Sequence, residues 1–154
     1  MKNLKKTFAT IFIGQTMSLL TSAIVQYAII WYITFKTGSA IDLALATIAG
    51  ILPQILLGPI AGVIVDRLDR KKIMMYSDGM IAIATLILGV FFLYGEPSMT
   101  GMYIVLAIRS LGSTFHSPSF TASIPMLAPK DMLVKISGIN QMINSVTLIV
   151  APIL

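Results

Sequence analysis

Residues 43–65 read LALATIAGILPQILLGPIAGVIV, and this stretch decides the fold because it places 23 uncharged residues between Asp42 and Asp66. An α-helix rises about 1.5 Å per residue, so about 20 apolar residues cross the hydrocarbon core of a bilayer, which is about 30 Å thick. The stretch is therefore predicted to be a membrane-spanning helix.

Charge is scarce in the rest of the chain as well. The 154 residues include 11 Lys or Arg and 6 Asp or Glu, and the mean hydropathy is +0.91. A soluble domain carries about 25% charged residues, whereas this chain carries 11%. These values, with no cysteine, exclude a soluble enzyme, a disordered tail and a disulfide-stapled secreted domain. We predict an all-α integral membrane protein with spans near 8–35, 43–65, 73–94, 99–125 and 136–154.

The basic residues of the short loops lie almost entirely on one predicted side of the membrane. That side holds Lys2, Lys5, Lys6, Arg67, Arg70, Lys71, Lys72, Lys130 and Lys135. The other side holds Lys36, and Arg109 lies within a span. Because cytoplasmic loops carry the excess of Lys and Arg, we predict a cytoplasmic N-terminus in a multi-pass protein of the cell (plasma or inner) membrane. The 29 uncharged residues after Lys6 exceed the apolar core of a cleaved signal peptide, about 7–15 residues.

Two spans carry polar side chains at helical spacing. Span one has them at Gln15, Ser18, Ser22 and Gln26, and span five at Ser137, Asn140, Gln141 and Asn144. An unpaired amide in hydrocarbon costs several kcal/mol, so these faces should meet protein or water. Two interpretations stay open: a polar cavity, or interhelical hydrogen bonds that contribute about 0.6 kcal/mol each.

Spans two and three differ from these two. Span two repeats small residues at multiples of four, which favours close helix packing: Ala46, Gly50, Gly58 and Gly62. Pro53 and Pro59 are expected to bend it. In span three, Thr85 is the only hydroxyl between Met80 and Leu93, so that helix can face lipid.

The loop after span two runs from Gly62 to Lys72 as GVIVDRLDRKK. It resembles the cytoplasmic signature of the major facilitator superfamily, G-x-x-x-D-R-x-G-R-K/R-K/R, except that Asp69 replaces a glycine. The resemblance implies that this loop docks against the other half of a transporter and stabilises one gating state. The residues that match are Gly62, Asp66, Arg67, Arg70 and Lys71, with Asp69 as the departure.

Two further motifs support the same resemblance. Arg109 to Gly112 is similar to the R-x-x-G core of the fourth-helix motif, with Pro118 at its later proline. An arginine in a span costs about 2.5–3.5 kcal/mol, so Arg109 either faces a cavity or snorkels to the outer interface. Span five matches part of the drug-antiporter pattern G-x8-G-x3-G-P. Gly138 and Pro152 match it, whereas Thr147 and Ala151 stand at the other two glycine positions. Gly50, Gly58, Gly138 and Pro152 are the positions we assign to helix packing.

Nearly the whole chain resembles the macrolide-efflux branch of the superfamily, in which Asp69 is expected. The resemblance implies a twelve-helix fold of two six-helix halves, with residues 1–154 forming part of the N-terminal half. It also implies alternating access and ion-driven export of hydrophobic drugs such as macrolides. The implied partners are the bilayer, an apolar small molecule, a coupling ion (in the first place a proton) and the missing C-terminal half.

The residues alone leave the coupling site open. It lies in the missing half, or it uses Arg109, Asp78 or His116, the only histidine, which is otherwise an ordinary hydrogen-bonding residue. The chain has no motif for an enzyme, a metal or a cofactor, and its cations anchor loops rather than bind nucleic acid. The alternative function is a small non-transporting polytopic membrane protein, such as an assembly or regulatory subunit. Its apolar ending at Leu154 argues against that alternative.

Overall fold

A computed structural model describes residues 2–127 and 133–153, with side chains described for 10–126 and 133–153. It has five α-helices: α1 (Lys2–Thr37), α2 (Ala40–Arg67), α3 (Arg70–Tyr94), α4 (Met99–Leu127) and α5 (Leu133–Val150). The described ranges contain no strand, so the predicted all-α class is confirmed. The side chains of Lys2, Lys5 and Lys6, and the whole of Lys130, lie outside the described residues.

Short turns separate the first four helices, and two of these turns contain a glycine and a serine that caps the next helix. Gly38 after α1 and Gly95 after α3 have φ of 60° and 154°, which side chains with a Cβ rarely adopt. Ser39 then caps α2, where its side chain accepts from the Asp42 N–H at 3.3 Å. Ser98 accepts from the Gly101 N–H at 3.1 Å at the start of α4. Helices α2 and α4 therefore each begin with an N–H group that a serine side chain satisfies.

The connection between α2 and α3 consists of two residues, Leu68 and Asp69. Leu68 ends α2 by donating its N–H to the Ile64 carbonyl at 3.0 Å, and Asp69 caps α3. The Asp69 carboxylate accepts from the N–H groups of Lys71 at 3.0 Å and Lys72 at 3.3 Å. Because Asp69 has φ of −67°, this position needs no glycine, and an aspartate cap stabilises a helix by about 1 kcal/mol relative to alanine.

Helix α5 ends earlier than the predicted span 136–154. It stops at Val150, and residues 151–153 form a turn in which the Ile153 N–H donates to the Val150 carbonyl at 3.0 Å. Pro152 explains the difference, because proline lacks the N–H that a helix needs and disfavours helical backbone in the residue before it. In contrast, α2 continues through both Pro53 and Pro59.

Four helices are long and apolar enough to cross a membrane: Thr10–Thr37 of α1, and the whole of α2, α3 and α5. Many of their large apolar side chains are exposed in the chain itself, among them Ile55 and Leu56 of α2 and Leu86 of α3. Apolar surface on this scale requires lipid or further protein. Helix α4 is also long, but Arg109, His116 and several hydroxyls interrupt its apolar sequence, and it is not among these four.

The chain divides into two compact units. One comprises residues 1–28 and 122–154, and the other comprises residues 29–121. The second unit holds α2, α3, the end of α1 and most of α4, and its core includes Ile33, Ala46, Val65, Met102 and Leu106. Most of the buried polar side chains of the chain also belong to this second unit.

Candidate functional site

Arg109 lies in the middle of α4 and is only 3% exposed. Its guanidinium donates to the Thr85 hydroxyl of α3, and that hydroxyl in turn donates to the Ile81 carbonyl at 2.7 Å. Burial of an unpaired charge is costly, so a hydrogen-bonded partner on the neighbouring helix is what a buried arginine needs. Arg109 is therefore held inside the chain and does not snorkel along the outer surface.

Gly112 brings α3 and α4 close together one turn further along. A Cβ at this position would lie 2.6 Å from Cγ1 of Ile81, 2.9 Å from its Cδ1 and 3.2 Å from the Ser77 carbonyl oxygen. A side chain at this position requires Ile81 to change its conformation and the α3 backbone at Ser77 to give by a few tenths of an ångström. Gly112 is thus a point of close approach between α3 and α4.

His116 and Asp78 face each other one turn beyond Gly112. His116 Nε2 lies 3.3 Å from Asp78 Oδ1, with the side chains 12% and 43% exposed. The Nε2 atom is fully buried and has no hydrogen bond of good geometry with any described residue. The pair therefore has the distance of an ion pair but not the alignment of a hydrogen bond.

These contacts form one line, which we call the α3–α4 interface: Ser77, Asp78, Ile81 and Thr85 of α3 with Arg109, Gly112 and His116 of α4. Hydroxyls of α4 extend its polar character. Thr114 donates to the Ser110 carbonyl at 2.7 Å, and the buried Ser110 Oγ has no hydrogen bond with any residue that the structure describes. The interface thus places a buried arginine and several hydroxyls between two membrane helices, where polar groups are costly unless they have partners.

The opposite end of the same unit is joined by two side-chain contacts. Lys36 at the end of α1 pairs with Glu96 in the turn before α4 and lies 5.6 Å from the centre of the Tyr32 ring. Tyr103 of α4 donates to Asp42 of α2 at 2.8 Å. These contacts connect four elements at the end that the charge distribution assigns to the outer side of the membrane.

The signature loop is exposed at the other end. Asp66 lies 3.9 Å from Arg70, a distance at which a solvated pair contributes at most about 1 kcal/mol. Arg67, Lys71 and Lys72 are exposed. The loop thus presents its cations outward from a turn fixed by the Asp69 cap.

The predicted polar stripes belong to the unit of residues 1–28 and 122–154. Gln15, Ser22 and Gln26 are half-buried on α1, as are Asn140 and Asn144 on α5. The buried Oε1 of Gln15 has no hydrogen-bond partner among the described residues. Ser18, Ser137 and Gln141 are exposed. The half-buried members remain the candidates for a cavity.

The residues assigned to helix packing have more room than expected. A Cβ added at Gly58, Gly62 or Gly138 meets no described atom within 4 Å. Gly50 and Pro152 are half-buried. At Gly58 and Gly62, the described part of the chain does not make the close approach that the small-residue pattern of α2 predicts, so that approach stays a prediction. Gly112 does make a close approach.

The transmembrane secretion effector family matches residues 3–154. The chain belongs to this family of the major facilitator superfamily. Macrolide efflux protein A of Streptococcus pyogenes is 47% identical over 150 residues, which are 97% of this chain and 37% of the relative. Macrolide efflux protein A of Enterococcus faecalis is 43% identical over 75% of this chain and 35% of the relative. The multidrug efflux pump Tap of Mycolicibacterium fortuitum is 30% identical over 63% of this chain and 24% of the relative.

The chain thus spans about 37% of the length of its macrolide-efflux relative. No solved structure matches it. The superfamily comprises transporters rather than enzymes, which confirms the prediction that the protein is not an enzyme.

The sequence did not identify Thr85 as a site residue, and it did not indicate that Gly112 packs against α3. One signal could have found them. Asp78 and Thr85 are seven residues apart on α3, and Arg109 and His116 are seven residues apart on α4. In two antiparallel helices joined by a four-residue turn, this equal spacing allows Asp78 to meet His116 and Thr85 to meet Arg109. Thr85 was instead assigned to a helix that can face lipid. In the structure, Leu86 and Phe91 of α3 are exposed, whereas Thr85 is half-buried.

Proposed function

We propose that the full-length protein is a secondary active transporter that exports hydrophobic drugs, macrolides among them, by alternating access. The observation that carries this proposal is the 47% identity to a macrolide efflux protein over 97% of the chain. The α3–α4 interface supports it, because a buried arginine in a membrane helix by default marks a substrate or ion pathway. Family membership adds the expectation of a twelve-helix fold completed by further helices.

A proton gradient is the driving force that we propose. Export against a concentration gradient needs an energy source, and the chain contains no phosphate-binding loop for a nucleotide. Asp78 and His116 provide groups that can exchange a proton within the predicted spans. The guanidinium of Arg109 keeps its proton and is suited to holding substrate or neighbouring charge in place.

We place the protein in the cell membrane with a cytoplasmic N-terminus. Arg67, Arg70, Lys71 and Lys72 all lie at one end of the α2–α3 hairpin, and the inner leaflet carries the anionic lipids that attract such residues. Gln15, Ser22, Gln26, Asn140 and Asn144 are proposed to line a polar cavity in their own unit. The loop from Gly62 to Lys72 is proposed to stabilise one gating state.

Transport is tested with the full-length protein in liposomes that have an acidic lumen. Labelled erythromycin, a macrolide, should accumulate in them, and a protonophore should abolish the accumulation. Protein-free liposomes with the same gradient are the control, because erythromycin is a weak base that follows a pH gradient unaided. Equal accumulation with and without protein would contradict transport and favour a non-transporting membrane protein.

Asp66→Asn should slow drug efflux more than it weakens drug binding. The substitution removes one charge from an exposed side chain of the loop, so the equilibrium dissociation constant for erythromycin should change little. Efflux rate and binding are measured on the same preparation. Glu96→Gln, at the opposite end of the hairpin, is the matched control and should alter neither. Weakened binding with an unchanged efflux rate would contradict the gating role.

A further inference from the structure

Asp78 and His116 bring a carboxylate and an imidazole to ion-pair distance within the predicted spans. His116 Nε2 is buried and lies 3.3 Å from the Asp78 carboxylate, which is itself 43% exposed. A buried imidazole nitrogen that faces a carboxylate without a hydrogen bond is poised to gain one when it binds a proton. The Asp78 carboxylate is less buried than the imidazole, so the proton can reach the pair from the Asp78 side.

We propose that Asp78 and His116 together form the site that binds the transported proton. This inference rests on the proposed function, since it names where proton-driven efflux takes up its ion. With a neutral imidazole the pair has a net charge of −1, and with one added proton it is neutral. Because uncompensated charge is costly in a membrane interior, the pair has a physical reason to take up one proton.

The other charged groups of the packed helices do not compete for this role. On α4, Arg109 is bonded to Thr85 two turns away, and Tyr103 donates to Asp42 near the outer end. On α3, Arg70 lies beside Asp66, while Lys71, Lys72, Tyr76 and Tyr94 are exposed. On α2, which packs on α3, the charged groups are Asp42, Asp66 and Arg67. Within the described residues, Asp78 is the acid at ion-pair distance from His116.

Proton uptake changes the contact between α3 and α4. When Nε2 is unprotonated, its lone pair faces the carboxylate and repels it. When one proton forms an N–H bond at Nε2, the pair becomes a charge-assisted hydrogen bond, for which the usual distance is about 2.7–2.9 Å. The present 3.3 Å is longer. The helices should therefore draw together at this level when the proton binds and separate when the N–H bond breaks and the proton leaves.

The test uses the full-length protein in liposomes and two measurements with labelled erythromycin. The first is accumulation driven by an acidic lumen. The second is exchange of labelled for unlabelled erythromycin without a gradient, which needs a folded carrier but no net proton movement. His116→Gln and Asp78→Asn should each lose accumulation and keep exchange. The exchange rate of the parent protein should change with pH, whereas the exchange rates of the two variants should not. Asp42→Asn, an acid-to-amide change at the outer end, should retain both activities.

The outcomes separate the site from the proposed function. Accumulation by either variant equal to that of the parent would overturn the assignment of the proton site. Loss of both activities in variants that insert normally would assign the pair a structural role and also overturn it. A parent protein that exchanges erythromycin but does not respond to the pH gradient would instead show that proton coupling itself is wrong.

Discussion

Cells that express Arg109→Ala are expected to lose drug resistance while the protein still inserts into the membrane. Arg109 is 3% exposed and donates to Thr85 on the neighbouring helix, so alanine removes both the buried charge and the hydrogen bond. A hydrogen bond to a charged group contributes about 1.5–3 kcal/mol, which corresponds to about 10- to 100-fold in rate if it acts during transport. The measurements are erythromycin efflux and the amount of protein in the membrane.

Two variants separate the charge of Arg109 from its hydrogen bond. Arg109→Lys keeps the charge but loses the planar donor geometry, so it should retain a fraction of the efflux. Thr85→Val removes the acceptor and keeps the arginine, so its loss should be smaller than that of Arg109→Ala. Full resistance with Arg109→Ala at a normal protein level would show that the arginine is not needed for transport.

The fold was largely predictable because the bilayer restricts what a chain can do. Long gaps without charge determine where helices cross, and the glycines at 38 and 95 mark two turns, with Gly38 at a φ of 60°. The ends were less predictable. The helices extend past the apolar stretches to charged residues such as Arg67 and Arg70, because a helix can continue outside the hydrocarbon core of the bilayer.

Individual residues of the site could be predicted from the sequence, but the contacts between them could not. Arg109 is conspicuous in any sequence, because a membrane helix seldom contains arginine. Its partner Thr85 is inconspicuous, since a lone threonine in an apolar span commonly bonds to its own helix, as Thr85 also does with Ile81. Which face of α3 meets α4 depends on the relative rotation of the helices. Packing contacts between the two helices, such as the one at Gly112, contribute to that rotation, and the composition or periodicity of a single span does not reveal them.

Gly112→Val is expected to lower the thermal stability of the protein by several degrees and to abolish efflux. The new Cβ would lie 2.6 Å from Ile81 Cγ1 and 3.2 Å from the Ser77 carbonyl, and the second of these atoms belongs to the backbone. Overpacking of this kind costs about 1–3 kcal/mol. It also pushes α3 away from α4 between the Thr85–Arg109 and Asp78–His116 contacts, so both should weaken together. The apparent unfolding temperature in detergent measures the first effect and erythromycin efflux the second.

Gly89→Val is the matched control, because a Cβ at Gly89 meets no described atom within 4 Å. Since glycine is a poor helix former, by about 1 kcal/mol relative to alanine, substitution there should leave stability unchanged or slightly higher. Ile81→Ala removes the side-chain atoms that clash with the new Cβ and should restore part of the lost stability when combined with Gly112→Val, a coupling between two residues in contact. Equal effects at Gly89 and Gly112, or no rescue by Ile81→Ala, would contradict a close approach of α3 and α4 at Gly112. The rescue is the sharper comparison, because a general intolerance of valine at position 112 would not depend on the side chain at position 81.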